Sequence, residues 1–249
     1  MTPSMDNGWS ASAEAWVAHL GDAGDRGRKD ILDRPMLAAV RDSGARRALD
    51  VGCGEGRFCR MLRGIGLDAT GIDPTPELLD LARTRDPEGA YLDGKAEALA
   101  FEDGAFDLVV SYLTLIDIPD YRAAIGEMAR VLAPSGTLLV ANLNPFVTAI
   151  PRTASKSGSG WVKEGDTRLH YAIDDYVGER GNWVEWSGIR ILNYHRPLSD
   201  YMAAFLAAGL VLQAYEEPGY QGSDPDVADK YKRIPWFNMM VWRKPGEGD

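Results

Sequence analysis

The chain contains few of the residues that bind metals or form disulfides. It has only two cysteines and three histidines among 249 residues. Cys53 and Cys59 do not form a C-x-x-C pair, and they belong to no cluster of metal-ligand residues. We therefore expect no metal site and no disulfide framework, but two buried or loop thiols in a reducing cytoplasm.

Long apolar runs and basic runs are also missing. No stretch approaches the roughly 20 apolar residues that a membrane-spanning helix needs. The first residues, Met-Thr-Pro-Ser-Met-Asp, lack the basic and apolar regions of a signal peptide. The formal net charge is −10, and an acidic surface repels phosphate backbones. We therefore predict a cytoplasmic protein that binds neither a membrane nor nucleic acid.

What is present is the composition of a globular α/β protein. Hydrophobic residues make up 45% of the chain and charged residues 26%. Strand-like and helix-like segments alternate between residues 47 and 142. The apolar runs at 108–110 and 138–140 are typical of strands that are buried on both faces, as in a parallel sheet with helices on both sides.

The most informative segment is a glycine loop between two of these strands. Residues 48–56 read Ala-Leu-Asp-Val-Gly-Cys-Gly-Glu-Gly, and Gly-Ile-Asp follows at 71–73. Each strand ends in an acid, Asp50 or Asp73, and a helix lies between the strands. This pattern suits a nucleoside-bearing cofactor at the carboxyl ends of a parallel sheet. Glycines let the backbone approach such a ligand, and Asp73 is placed to accept hydrogen bonds from both ribose hydroxyls.

The spacing distinguishes between two cofactor classes. A dinucleotide loop G-x-G-x-x-G that starts at Gly52 would have its third glycine at position 57, but that residue is Arg57 and the glycine comes early, at Gly56. Asp50 would repel a pyrophosphate and suits a cation. S-adenosylmethionine carries a sulfonium and an ammonium and no phosphate. An NAD(P)-dependent oxidoreductase and a non-catalytic cofactor-binding partner protein remain the alternatives.

Five short motifs follow one another between residues 50 and 138, with the order and spacing of a known protein family. They are D-V-G-C-G-E-G, G-I-D-P, A-E-A-L-A-F, F-D-L-V-V-S and R-V-L-A-P-S-G-T-L. With them the chain resembles the small-molecule branch, type 11-like, of the class I S-adenosylmethionine-dependent methyltransferases. The resemblance implies an α/β fold with a doubly wound, Rossmann-like sheet of seven strands, the last antiparallel, and an inserted lid. It also implies S-adenosylmethionine as cofactor, S-adenosylhomocysteine as product, and in-line methyl transfer to an oxygen or nitrogen atom of a small molecule.

We predict one domain, residues 1–249, acting as a monomer or homodimer. Its parts are a helical cap (1–45), a cofactor-binding core (46–144), a lid over the acceptor (145–197) and the end of the sheet (198–249). Helices are expected at 9–20 and 31–40, the latter despite Pro35, and the fifth strand is expected at 137–142. In the lid, residues 145–180, with the Ser/Gly-rich run 155–160, are predicted as a mobile loop, and 182–194 as a hairpin.

The resemblance assigns the cofactor to twelve residues. Arg28 (or Arg26) is expected near the cofactor carboxylate. Many relatives have an aspartate for the adenine amino group where this chain has Lys95, which cannot accept that hydrogen bond. The backbone of Ala96, or the side chain of Asp93 or Glu97, is expected to replace it. The assigned residues are Arg28, Asp50, Gly52, Cys53, Gly54, Gly56, Asp73, Pro74, Ala96, Glu97, Ser111 and Tyr112.

A general base is needed only for a hydroxyl or a protonated amine acceptor. The candidates are His195, which follows the predicted hairpin, and Asp117, which follows the fourth strand. A strand-end histidine and a helix-capping or solvated aspartate are the corresponding structural interpretations. The acceptor pocket is expected to be aromatic, with planar side chains that stack on the acceptor or stabilise a cation. The residues predicted to bind the acceptor are Trp16, Asn144, His170, Tyr171, Trp183, Trp186 and Tyr194.

Overall fold

The computed structural model describes residues 7–150, 160–246 and 248. The helices of these residues are α1 (Trp9–Leu20), a π-helical turn (Arg28–Leu32), α2 (Asp33–Ser43), α3 (Arg57–Gly64), α4 (Pro76–Arg85), α5 (Tyr121–Val131), α6 (Pro145–Thr148), α7 (Leu198–Ala207) and α8 (Pro225–Arg233). The strands are β1 (Arg47–Val51), β2 (Asp68–Asp73), β3 (Ala90–Asp93), β4 (Phe106–Tyr112), β5 (Leu132–Leu143), β6 (Trp161–Glu164), β7 (Thr167–Tyr171), β8 (Arg180–Trp186), β9 (Ile189–His195), β10 (Val211–Glu216) and β11 (Phe237–Arg243).

Seven of these strands form the central sheet, in the order β10-β11-β5-β4-β1-β2-β3. Strands β1 to β5 are parallel, and β11 runs antiparallel to both β5 and β10. The predicted seven-stranded, doubly wound sheet with an antiparallel last strand is therefore confirmed. The strand order reverses at β1, which pairs with both β2 and β4. Open α/β sheets bind their ligands at the carboxyl ends of the strands beside such a reversal.

Both faces of the sheet are buried, as the apolar runs indicated. Along β4 the side chain of Val109 packs on one face with Val140 and Trp242, under α5 and α7. Leu108 and Val110 pack on the other face with helices α2 and α3. Because successive side chains of a strand point to opposite faces, a run of three apolar residues supplies both cores.

Several elements differ from the sequence-based predictions. The helix expected at 31–40 begins as the π-helical turn and continues as α2. Pro35 therefore lies inside a continuous helical segment, where it lacks the N–H that an interior helix position donates. Strand β5 starts at Leu132, directly after α5, so Pro134 and Gly136 lie in the strand instead of before it. Helix α8 was not predicted, although Asp224 caps it and Pro225 is its first residue, both common start signals.

The lid has more regular structure than expected. The hairpin of β8 and β9 is present, with Trp186 opposite Ile189. Residues 145–180 were expected as a loop, but they contain α6 and a second hairpin, β6–β7. Residues 151–159, which hold most of the Ser/Gly-rich run, lie outside the described residues. In the part of the chain that the structure describes, no helix has the length and apolar character needed to cross a membrane.

Candidate functional site

A cavity of about 890 Å³ lies at the carboxyl ends of β1, β2 and β4. The cap and the lid lie together on one side of it, and hydrogen bonds join them. Ser12 of α1 exchanges hydrogen bonds of 3.0 Å with the backbone of Arg190, and the N–H of Leu192 donates to the carbonyl of Asn7 over 2.9 Å. The predicted site residues on its wall are Trp16, Arg28, Asp50, Gly52, Cys53, Gly54, Asp73, Pro74, Ala96, Glu97, Tyr112, Asp117 and Tyr194.

The glycine loop is fixed by β2. The N–H groups of Gly52 and Cys53 donate to the carbonyl of Ile72 over 2.8 and 2.9 Å. Gly54 has a φ of +55°, and a Cβ there would have no neighbour nearer than Leu78 at 3.9 Å, so its backbone faces open cavity. Gly56, predicted to bind the cofactor, is not on the described cavity wall. A Cβ at Gly56 would lie 2.6 Å from the ring of Tyr91, so this glycine serves packing.

Asp73 ends β2 with both carboxylate oxygens aligned by the backbone. Oδ2 accepts a hydrogen bond from the N–H of Gly54 and Oδ1 one from the N–H of Thr75, each over 2.9 Å. Burial raises the pKa of this carboxyl, and the two N–H groups oppose that rise. Each oxygen retains a further lone pair, so the carboxylate can accept two more hydrogen bonds from a ligand. A pair of neighbouring hydroxyl groups matches this geometry.

Asp50 is the penultimate residue of β1 and is only 2% exposed. Its Oδ2 accepts from the thiol of Cys59 over 3.5 Å, whereas Oδ1 is buried without a hydrogen-bond partner. Burial raises the pKa of Asp50 to about 7, and the nearby carboxylate of Asp73 adds to this rise. A buried carboxylate oxygen without a partner is costly, and a cationic ligand group would satisfy it.

Arg28 brings a positive charge to the same cavity. Its guanidinium lies 4.9 Å from the ring centre of Trp16 and 5.6 Å from that of Tyr112, and it forms an ion pair with Asp25. Arg26, the other candidate for a carboxylate contact, is half exposed and lies 3.9 Å from Asp224. The geometry therefore favours Arg28 as the cation that a ligand in the cavity can reach.

Asp117 lies in the loop after β4. Its carboxylate accepts a hydrogen bond from the side chain of Asn193, and its backbone N–H donates to the carbonyl of Thr114 over 2.8 Å. Burial raises the pKa of Asp117 to about 8, although Asn193 and the charge of Arg28 oppose the rise. The cavity thus contains a carboxyl group that exchanges a proton near neutral pH.

The turn Gly94–Glu97 forms another part of the wall. Lys95 and Ala98 form an isolated bridge, in which the N–H of Ala98 donates to the carbonyl of Lys95 over 3.2 Å. Asp93, one of the proposed replacements for the missing aspartate, is exposed at the end of β3 and is not on the described wall. The backbone of Ala96 and the carboxylate of Glu97 remain as the groups available to a ligand.

His195 does not reach the cavity, and this corrects its assignment as a base. The residue is 1% exposed, and both ring nitrogens are occupied. Nδ1 lies 2.7 Å from the hydroxyl of Thr148, and Nε2 lies 2.8 Å from the carbonyl oxygen of Tyr176. Burial also lowers its pKa. The ring therefore connects α6 to the loop before β8.

Other predicted residues also lie off the described cavity wall. Ser111 is fully buried on the face of β4 opposite Tyr112, and Asn144 donates to Glu217 over 2.7 Å. The remaining ones lie in the lid, where their side chains contact other protein residues or solvent. Tyr171 donates to the carbonyl of Val147, Trp183 stacks with Arg190, Trp186 lies near His19, and His170 is exposed on β7.

Several wall residues after β4, in the cap and in β9 were not predicted. Leu113, Thr114 and Ile118 line the cavity, as do Trp9 and Leu192. The position directly after a parallel strand was a usable signal for Leu113 and Thr114, since such residues lie at the carboxyl edge of the sheet. No local signal indicated Trp9, because its place depends on how the cap packs against β9.

Comparisons with known proteins agree with this geometry. The methyltransferase domain family matches residues 49–140. The malonyl-[acyl-carrier protein] O-methyltransferase of Serratia marcescens is 35% identical over 151 residues, which are 61% of this chain and 56% of that protein. The demethylmenaquinone methyltransferase of Renibacterium salmoninarum is 32% identical over 188 residues, 69% of this chain and 79% of that protein. The chain thus spans little more than half the length of the first relative.

A solved structure shares the fold over most of the chain. The S-adenosylmethionine dependent methyltransferase from Mesorhizobium loti superposes with a TM-score of 0.74 at 23% identity. The match covers 90% of this chain and all of that one. At this identity the likeness concerns the fold alone.

Proposed function

Because the chain belongs to the class I S-adenosylmethionine-dependent methyltransferases, we propose that it transfers a methyl group to an oxygen or nitrogen atom of a small molecule. The observation that carries this proposal is the shared cavity of Asp50, Asp73 and Asp117. Two of these carboxylates lie at the carboxyl ends of the adjacent strands β1 and β2, beside the glycine loop, and the third lies on the loop after β4.

The residues fit S-adenosylmethionine. Asp73 offers two aligned oxygens to the ribose hydroxyls, and the unpartnered Oδ1 of Asp50 suits the ammonium group. The turn at Ala96 and Glu97 is available to the adenine, and Arg28 to the carboxylate. When bound, the cofactor supplies a methyl group on a sulfonium, which is already a good leaving group.

The protein then has to position the acceptor, exclude water from the cavity and accept one proton from the acceptor. Hydrogen bonds between α1 and β9 hold the cap and the lid together beside the cavity. Asp117 is proposed to accept the proton of a hydroxyl or ammonium acceptor. A carboxylate with a pKa of about 8 is a stronger base than an ordinary carboxylate, which brings it nearer to the pKa that such a proton transfer requires.

Two findings support a small acceptor. Residues of the cap and the lid line one side of the cavity, and among them Trp9, Trp16, Leu192 and Tyr194 suit a compact, partly apolar molecule. The relative from Renibacterium salmoninarum is named for demethylmenaquinone, a small molecule. The acidic net charge supports the absence of a nucleic-acid partner. A cytoplasmic location and a monomer or homodimer complete the proposal.

A labelling experiment tests this function. The protein is incubated with methyl-labelled S-adenosylmethionine and a cell extract, which is then split into small-molecule and macromolecular fractions. We expect label in a small-molecule peak that is absent with Asp73→Ala. Label in protein or nucleic acid would contradict the small-molecule proposal. Tight NADH binding without S-adenosylhomocysteine binding would support the oxidoreductase alternative, which the orphaned Asp50 carboxylate disfavours.

A further inference from the structure

The structure contains a buried arginine whose hydrogen bonds converge on one wall of the cavity. We propose that Arg196 is a positioning residue, which holds the loop 113–119, and therefore Asp117, against the lid strand that carries Tyr194. The inference rests on the proposed function only for its effect on turnover. The placement of the loop by Arg196 can be tested without any methyl transfer.

The contacts of Arg196 are concentrated on that loop. The side chain is buried, and Nη1 donates to the carbonyl of Leu115 over 2.8 Å. Nη2 donates to the carbonyls of Ile118 and Pro119 over 2.6 and 3.0 Å. The planar fork of a guanidinium supplies several donors in fixed directions, which a lysine does not. Three carbonyls of one short loop are therefore fixed by one side chain.

Aromatic rings enclose the rest of the guanidinium. Its central carbon lies 4.3 Å from the ring centre of Tyr121 and 4.6 Å from that of Tyr194. The carboxylate of Glu179 lies 3.8 Å from Nε, beyond ordinary hydrogen-bond length. A buried charge with so distant a counter-ion is costly. The loop carbonyls and rings are thus its principal partners.

The backbone of this loop is strained where it leaves β4, and further hydrogen bonds hold it in place. Leu113 leaves β4 with a φ of +59°, a conformation that is strained for a non-glycine residue. The N–H of Tyr194 donates to the carbonyl of Ile116 over 2.7 Å. Together, Arg196 and Tyr194 therefore bond four of the five carbonyls from 115 to 119.

The opposite side of the same loop forms the cavity wall. Asp117, Ile118 and Pro119 line the cavity, and so does Tyr194. Asn193, which bonds the carboxylate of Asp117, precedes Tyr194 in β9. A displacement of the loop would move the proposed proton acceptor relative to the acceptor molecule, and small errors of placement cost rate strongly.

The test compares Arg196→Met and Arg196→Lys with Lys244→Met in the full chain, saturated with S-adenosylhomocysteine. Lys244 is a matched control, because its Nζ also donates to three carbonyls, those of Ala129, Arg130 and Leu132, but outside the cavity wall. Amide hydrogen exchange is followed at Asp117 and Tyr194. We expect exchange at both to rise at least tenfold in Arg196→Met and at least threefold in Arg196→Lys, and to stay within twofold of wild type in Lys244→Met.

Turnover and exchange separate the two proposals. With the acceptor found by labelling, Arg196→Met should lower kcat at least tenfold while KM for S-adenosylmethionine stays within twofold. Unchanged exchange at the loop in Arg196→Met, or equal loosening by Lys244→Met, would overturn the positioning role. Should Arg196→Met not fold, unchanged loop exchange in Arg196→Lys would overturn it as well. Absence of methyl transfer by the wild type would instead refute the proposed function and leave the exchange result valid.

Discussion

Replacement of Asp50 by asparagine should stabilise the ligand-free protein and weaken its cofactor binding. The carboxylate is buried, one of its oxygens has no hydrogen-bond partner, and burial raises its pKa from 3.8 to about 7. A pKa that is raised on folding means that the ionised form favours the unfolded chain. Asparagine has nearly the same shape and does not ionise, so Asp50→Asn removes this penalty.

The sign and size of the effect follow from the linkage between protonation and folding. The penalty is absent below about pH 4, grows as the pH rises, and is complete above about pH 7. A rise in pKa from 3.8 to about 7 corresponds to about 4 kcal/mol at pH 8. The buried amide of asparagine carries its own cost, but that cost does not change with pH. The informative quantity is therefore a change in the free energy of unfolding. It is the difference in this free energy between Asp50→Asn and wild type at pH 8, minus the same difference at pH 5.

Urea unfolding at both pH values measures this quantity. Only the part of the penalty that accrues between pH 5 and about pH 7 enters this difference, about 2.7 kcal/mol. We therefore expect the free energy of unfolding of Asp50→Asn to rise relative to wild type by at least about 1.5 kcal/mol between pH 5 and pH 8. Calorimetry with S-adenosylhomocysteine should show a Kd raised about 10- to 100-fold, as for the loss of one hydrogen bond to a charged group. No relative gain with pH would refute the argument from burial, and an unchanged Kd would refute the ammonium contact.

Three further predictions concern single carboxylates and one histidine. Asp73→Ala should raise the Kd for S-adenosylhomocysteine at least tenfold in calorimetry, since two hydrogen bonds to a charged acceptor are lost, whereas Asp93→Ala, on the neighbouring strand end, should stay within twofold; equal effects would remove the ribose assignment. In wild type, kcat/KM should rise with pH through about 8 as Asp117 loses its proton. Asp117→Asn should lower turnover about 10²- to 10⁴-fold and abolish that rise while Kd stays near wild type; a retained pH profile would exclude it as the base. His195→Gln should cost about 1–3 kcal/mol of stability in urea unfolding through two disturbed hydrogen bonds, and a large loss of turnover in the folded variant would return it to the catalytic candidates.

The fold, and the position of Asp50 and Asp73 on one cavity wall, could be predicted because their signals are local. Both residues lie at the carboxyl end of an apolar strand, and parallel strands bring their carboxyl ends to one edge of a sheet. The glycines beside Asp50 then identify the loop that joins strand and helix. None of these inferences requires knowledge of how distant segments pack, so they could be made from short stretches of sequence.

The side of the cavity formed by the lid could not be predicted in this way, because non-local contacts place the lid. Which face of β9 lines the cavity depends on the bonds between Ser12 of α1 and the backbone of Arg190. Tryptophans such as Trp183 are equally suited to stacking on a ligand and to covering a lid from outside. Its ring instead carries the guanidinium of Arg190 at 4.0 Å. Composition alone does not distinguish the two positions.

One rule would nevertheless have limited the errors. Successive side chains of a strand point to opposite faces, so a strand cannot place two consecutive side chains on one wall. The candidates Tyr194 and His195 are consecutive in β9, as are Ser111 and Tyr112 in β4. In each pair one side chain lines the cavity and the other packs on the far face. A prediction that assigns both members of such a pair to one site contains at least one error, and period-two alternation with buried Ile191 would have placed His195 on the core side of β9.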